Sequence, residues 1–174
     1  LVKAKGGELT ESNTFDPGTP ATGDLLRSAA IYGANAAGKS NFINALRVMA
    51  GIVVGSENPQ PGNEIPVKSF ALDSRTENEP TEFEVVFSAN QVRYQYGFSA
   101  TKERITTEWL IAYPNGRAQH WFTREWKVEI DDYDWSFGSS LTGLKQIWQE
   151  STLNNALFLS VATKLNSKQL KPVF

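Results

Sequence analysis

The sequence predicts an α/β fold in which a strand–loop–helix unit is followed by an antiparallel β subdomain, and three observations carry that expectation. A glycine-rich turn at residues 33–40 stands between a short apolar run and a stretch with helical periodicity. From about residue 80 onward the periodicity becomes alternating. Past the acidic stretch at 131–134, helical spacing returns.

Residues 1–27 are rich in Gly, Thr, Pro and Asp, which predicts a partial strand and then a loop around Asp16-Pro17-Gly18. Ser28-Ala29-Ala30-Ile31-Tyr32 is small and apolar, as a buried strand would be. After the glycine-rich turn, Phe42, Ile43, Leu46, Met49, Ile52 and Val53 recur at helical spacing, with Asn41, Asn44 and Arg47 on the opposite face. A polar, proline-rich connection runs from Gly55 to Pro66.

The alternating region predicts a meander of about four strands. Phe83, Val85 and Phe87 share one face of the first, and Val92, Tyr94, Tyr96 and Phe98 one face of the second, across a short turn at Ala89-Asn90-Gln91. Ile105, Thr107, Trp109, Ile111 and Tyr113 are expected on one face of the third. Asn115-Gly116 is a hairpin signal leading to a fourth through Trp121, Phe122, Trp126 and Val128. Beyond Asp131-Asp132-Tyr133-Asp134, the residues Leu141, Leu144 and Ile147 suit a short amphipathic helix. Asn154 or Asn155 is placed to cap another through Leu157, Phe158, Val161 and Leu165, and Ser167 to cap a third. The expected division is therefore 1–54, 55–130 and 131–174. Both ends read as cuts, so a longer parent chain is expected.

Composition narrows the chemistry. The 174 residues carry a net charge of −2, which advertises no dominant nucleic-acid surface. No cysteine is present and the single histidine is His120, so disulfides, thiolate metal sites and multi-histidine sites are excluded within this segment. No apolar run is long enough to span a bilayer and no signal peptide opens the chain, so the cytoplasm is the expected compartment, without membrane contact.

Gly33-Ala34-Asn35-Ala36-Ala37-Gly38-Lys39-Ser40 fits the P-loop pattern G-x-x-x-x-G-K-[ST] at every fixed position. Glycines let the backbone wrap so that successive N–H groups point inward at phosphate oxygens, and the helix that follows adds its positive end. Small side chains at Ala34, Ala36 and Ala37 stay out of that nest. Lys39 is placed to put a point charge between the β- and γ-phosphates, and is the catalytic candidate. Ser40 is placed to offer its hydroxyl to Mg²⁺. The expected nucleotide-contacting stretch is Gly33, Ala34, Asn35, Ala36, Ala37, Gly38, Lys39, Ser40 and Asn41.

Other polar residues read as structural. His120 lies between aromatic neighbours in a strand, and Glu82, Glu84, Glu103 and Glu108 alternate with apolar residues like the solvated face of a sheet. The five tryptophans fall in or beside periodic segments and are expected in the core. Asp131, Asp132 and Asp134 are most simply an acidic turn, and Lys164, Lys168 and Lys171 a solvated helix face.

Three stretches together resemble the prokaryotic AAA-type ATPases related to ABC transporters and SMC proteins, including the overcoming-lysogenization-defect-like ATPases. They are Ala29 to Leu46 around the loop; Pro80 to Val85 with Arg93-Tyr94-Gln95-Tyr96-Gly97-Phe98, Glu108-Trp109-Leu110 and Tyr113-Pro114-Asn115-Gly116-Arg117; and Asn155 to Ala162 with Gln169 to Phe174. The resemblance implies an ABC/SMC-type P-loop ATPase head, in part, with an antiparallel β subdomain and the start of a helical arm. It implies ATP and Mg²⁺ as cofactors and a head-to-head dimer. It also implies an antiphage defence role, as in Septu-type systems and retrons, with an effector nuclease or toxin as partner and nucleic acid (DNA or retron RNA–DNA) reached through the complex. An SMC-like DNA-repair ATPase and a nucleotide-binding scaffold without turnover are the alternatives. No signature segment and no apolar run ending in Asp-Glu occurs here, so the segment alone is expected to bind ATP but hydrolyse it poorly. For the Mg²⁺-sensing glutamine of such heads, Gln149 and Gln169 are candidates by position only.

Overall fold

The computed structural model describes residues 1–3, 10–68 and 79–174. At the N-terminal end, a single helical turn, α1 (Thr10–Asn13), precedes the small antiparallel pair β1 (Thr14–Phe15) and β2 (Leu25–Leu26). Between them lies the expected loop, where the Asp16 side chain accepts the Gly18 amide at 2.8 Å and Gly18 takes a φ of 63°. Then come α2 (Lys39–Gly55), a five-stranded sheet, and two short helices, α3 (Lys145–Glu150) and α4 (Phe158–Lys164).

The sheet runs in chain order through β3 (Thr81–Ala89), β4 (Val92–Ala100), β5 (Ile105–Tyr113), β6 (Gln119–Lys127) and β7 (Asp132–Phe137), with every neighbour antiparallel. Its hairpins follow the turn chemistry of the sequence. Asn90 and Gln91 form a two-residue loop with φ of 50° and 62°, and Asn115 and Gly116 take φ of 56° and 74°. Positive φ at both positions matches the right-handed twist of the flanking strands.

The meander has five strands, not about four. Asp131, at a φ of 50°, makes the reversal, but Asp132, Tyr133 and Asp134 already pair with Lys127, Trp126 and Glu125 as the start of β7. Three carboxylates masked the alternation of Tyr133, Trp135 and Phe137. Val128, expected in the fourth strand, instead lies in the turn and is exposed.

Two bulges change which residues face inward. Ala100 pairs with Ile105 and Ser99 with Thr107, leaving Thr106 as the extra residue; its hydroxyl donates to Ser99 O at 3.1 Å. Ile105 therefore points inward, but so do Glu108, Leu110 and Ala112, all fully buried, while Thr107, Trp109, Ile111 and Tyr113 lie on the outer face. A face reading without the bulge put these four with Ile105. The second bulge, between Leu110 and Ile111 opposite Trp121, turns both Trp121 and Phe122 into the core.

The core lies between the sheet's inner face and α4. Phe158 is its centre, with ring centroids 4.7 Å from Phe122, 5.4 Å from Trp135 and 5.5 Å from Phe137. Around α3 the buried residues are Leu141 and Trp148, whereas Leu144 and Ile147 are exposed, so the expected apolar face is replaced by one tryptophan. Gly143, at a φ of 111°, lets the Trp148 ring approach to where a Cβ would sit. Ser167 does act as expected, accepting the Leu170 amide, although turns rather than a third helix follow it.

Residues 28–32 do not form the expected buried strand. They have no strand assignment, and Ile31 and Tyr32 are exposed. A β-strand takes its ladder bonds from neighbouring strands, and among the described residues no strand lies beside this one.

One close approach gives a direct test. A Cβ on Gly138 would sit 1.8 Å from His120 O, a backbone atom in β6 that cannot swing away. Gly138→Ala should cost about 3 kcal/mol, at the upper end for overpacking, seen as a lower urea midpoint. An unchanged midpoint would mean that β6 shifts freely at His120.

Candidate functional site

The glycine-rich loop leads straight into α2, whose first residue is Lys39. Gly38 caps the helix at φ 84°, ψ 5°, a left-handed conformation with open space where a Cβ would be. Glycine is needed there for the backbone angle alone. Ala36 is also left-handed, at φ 64°, which costs an L-residue about 1 kcal/mol. Gly33 takes no such angle, and a Cβ there would meet Ala37 Cβ at an ordinary 3.5 Å. The loop closes on itself through the Ala37 amide to Ala34 O at 3.2 Å.

Lys39 folds back over the loop and donates from Nζ to Gly33 O at 2.7 Å and Ala34 O at 2.6 Å. An ammonium carries three donors, so one remains for an incoming group. The amides of Lys39 and Ser40 open the helix and have no carbonyl a turn earlier within it. Gly33, Ala34, Asn35, Ala36, Ala37, Gly38, Ser40 and Asn41 are all solvent-facing. The structure thus sets the predicted stretch as one exposed loop at the start of α2, with two of its carbonyls, Gly33 O and Ala34 O, on the Lys39 ammonium. Ser40 is the second residue of α2 and is exposed beside the loop. Among the described residues no cluster of three His, Asp or Glu is assembled.

The remaining candidates keep structural roles. His120 is exposed and its Nε2 lies 2.6 Å from Thr123 Oγ1. Asp132 accepts the Tyr133 amide in its turn. Gln169 spends its amide on the 140–142 turn, accepting from Thr142 N and Oγ1 at 2.9 Å each and donating to Ser140 O at 2.8 Å.

Glu108 departs most from expectation. It is fully buried, not part of a solvated face. Its Oε2 accepts the Phe158 amide at 2.7 Å, and its Oε1 accepts the Leu159 amide at 3.0 Å and the Tyr96 hydroxyl at 3.0 Å. Arg124, also fully buried, brings Nε to 3.2 Å of Oε2 and donates from Nη2 to Ala156 O. The first amides of α4 are thus capped by a carboxylate fifty residues away, and neither Asn154 nor Asn155 caps it. Asn155 instead donates to Gln60 O and Asn63 O at 2.8 and 3.0 Å. Burial raises the Glu108 carboxyl above its ordinary value, against the opposing pull of Arg124, the two amides and Tyr96. Burial and the Glu108 charge together hold the Tyr96 hydroxyl well above the usual tyrosine range. The signal available in the sequence was parity: Glu108 and Arg124 each stand two residues from a large apolar residue, Leu110 and Phe122, on strands whose bulges had gone unseen.

Among the described residues no helix is long and apolar enough to cross a membrane. The family described as "AAA domain, putative AbiEii toxin, Type IV TA system" matches residues 28–159, which span the loop, the sheet and the start of α4. No curated protein and no solved structure gives a significant match. With more than half its length matched, the chain belongs to this AAA family, an AAA/P-loop ATPase-like domain.

Proposed function

We propose that residues 33–41 bind the phosphates of Mg²⁺-ATP, with Lys39 on the β- and γ-phosphates, Ser40 on the metal, and the loop amides around the chain of oxygens. The observation that carries this reading is the position of Lys39: its ammonium lies inside the loop, against Gly33 O and Ala34 O, at the open end of a seventeen-residue helix. A phosphate arriving there meets the charge, the helix end and the free first-turn amides at once. Bound Mg²⁺ would neutralise phosphate charge and polarise the terminal group.

The finer reading follows the resemblance. The chain is the loop-bearing part of an ABC/SMC-like head that hydrolyses ATP as a head-to-head dimer and governs an effector, a nuclease or toxin, in antiphage defence.

The test is ATP binding and turnover by the full-length protein against Lys39→Ala. Losing the charge-assisted bonds should cost about 2–3 kcal/mol, on the order of a hundredfold in affinity, and remove hydrolysis. Equal binding by both proteins would sink the proposal. Binding by the wild type alone, with no turnover by either, would favour the nucleotide-sensing scaffold.

A further inference from the structure

We infer that α4 reports nucleotide occupancy of the loop to the β sheet, with Ser160 pinning α4 to the loop helix and Glu108 anchoring it on the sheet. The inference rests on the nucleotide reading above and adds a path to it.

The path begins at the C-terminal end of α2. A helix leaves its last four carbonyls without intrahelical partners. In α2, Ile52 O takes the Ser56 amide and hydroxyl, Val54 O the Glu57 amide and Gly55 O the Asn58 amide. Val53 O accepts the Ser160 hydroxyl at 2.8 Å. Among the described residues, this is the one hydrogen bond by which another element holds α2. The apolar hold is equally one-sided: Met49 and Ile52 are buried, whereas Phe42, Ile43 and Leu46 near the loop are about half exposed. A ligand that orders the free end of α2 is therefore felt elsewhere through its far end.

Ser160 is itself fully buried and belongs to the first turn of α4, directly after Phe158 and Leu159. Those are the two amides that Glu108 holds. α4 has only seven residues, a rod of about 10 Å, so motion at Ser160 bears directly on its cap. From Glu108 the contacts spread to Tyr96 on β4 and Arg124 on β6. The chain of contacts from loop to sheet is thus α2, Val53, Ser160, the α4 cap and Glu108. Ordering at one end lowers the rate of opening at the other even with no shift in mean structure.

Amide exchange of Phe158 and Leu159 in the full-length protein, with and without Mg²⁺-ATP, reads this directly. ATP should slow exchange at both, along with Lys39 and Ser40. In Ser160→Ala the slowing at Lys39 and Ser40 should persist while that at Phe158 and Leu159 is lost. Thr163→Ala, which removes an unpartnered hydroxyl from the same helix, should leave all four slowed, so general loosening of α4 is not the cause. Slowing at Lys39 and Ser40 alone in the wild type would overturn the path and leave the nucleotide reading standing. So would a Ser160→Ala protein that responds like the wild type. No slowing anywhere would overturn both.

Discussion

Arg124→Ala should destabilise the protein by about 3–5 kcal/mol, because it leaves the Glu108 carboxylate buried without its cation. The guanidinium does three things in the structure: it pairs with Oε2, donates to Ala156 O, and lies 5.0 and 5.4 Å from the ring centroids of Tyr133 and Trp135. Two of its nitrogens, Nε and Nη1, still make no well-aligned hydrogen bond. The pair is therefore not an efficient source of stability in itself, and the large loss on truncation comes from stranding its partner. Removing both charges, in Glu108→Gln with Arg124→Met, should cost clearly less than the two single changes added together. Urea unfolding of the four proteins gives that cycle. Additive losses would mean that the two side chains do not sense one another.

Phe158→Ala should cost a comparable 3–5 kcal/mol. The side chain is fully buried and is ringed by Phe122, Trp135, Phe137 and Trp148. These neighbours come from β6, β7 and α3, so collapse around the void would have to move two strands and a helix together. Phe158→Leu, which restores part of the volume, should recover a good share of the loss. A Phe158→Ala protein with an unchanged melting temperature would place the centre of the core elsewhere.

What the sequence made legible and what it hid divide along physical lines. The loop at Gly33–Ser40, the helix after it and the hairpin reversals at Asn90-Gln91 and Asn115-Gly116 depend on local backbone chemistry, which short stretches of sequence record. Alternation located the first two strands and their inner faces correctly. It failed on β5 because a bulge at Thr106 adds one residue without any compositional mark, and a shift of one exchanges the two faces. It failed on β7 because Asp132 and Asp134 alternate with aromatics, and carboxylates near a turn look like the turn itself. The cap of α4 was misread for a different reason. Asn154 and Asn155 stand where local caps stand, but Glu108 reaches the same amides across the fold, and no short window of sequence contains both ends of that bond. Residues 28–32 have strand character, yet a β-strand exists only beside another.

The extra residue at Thr106 acts as a phase shifter for everything after it on β5. Upstream, Thr101 and Arg104 close the β4–β5 reversal by their own bond of 2.9 Å, and at its tip Lys102 O accepts the amide of the buried Ile65 at 2.7 Å. Ile105 and Glu108 stand three residues apart and still share the inner face, which a strand without the bulge cannot achieve. At the same spacing without a bulge, one of the two would face outward; were it the carboxylate, Arg124 would be left alone inside and the first turn of α4 would be open. The bulge therefore lets a single strand deliver both an apolar residue at its entry and, three residues on, the carboxylate that holds a distant helix.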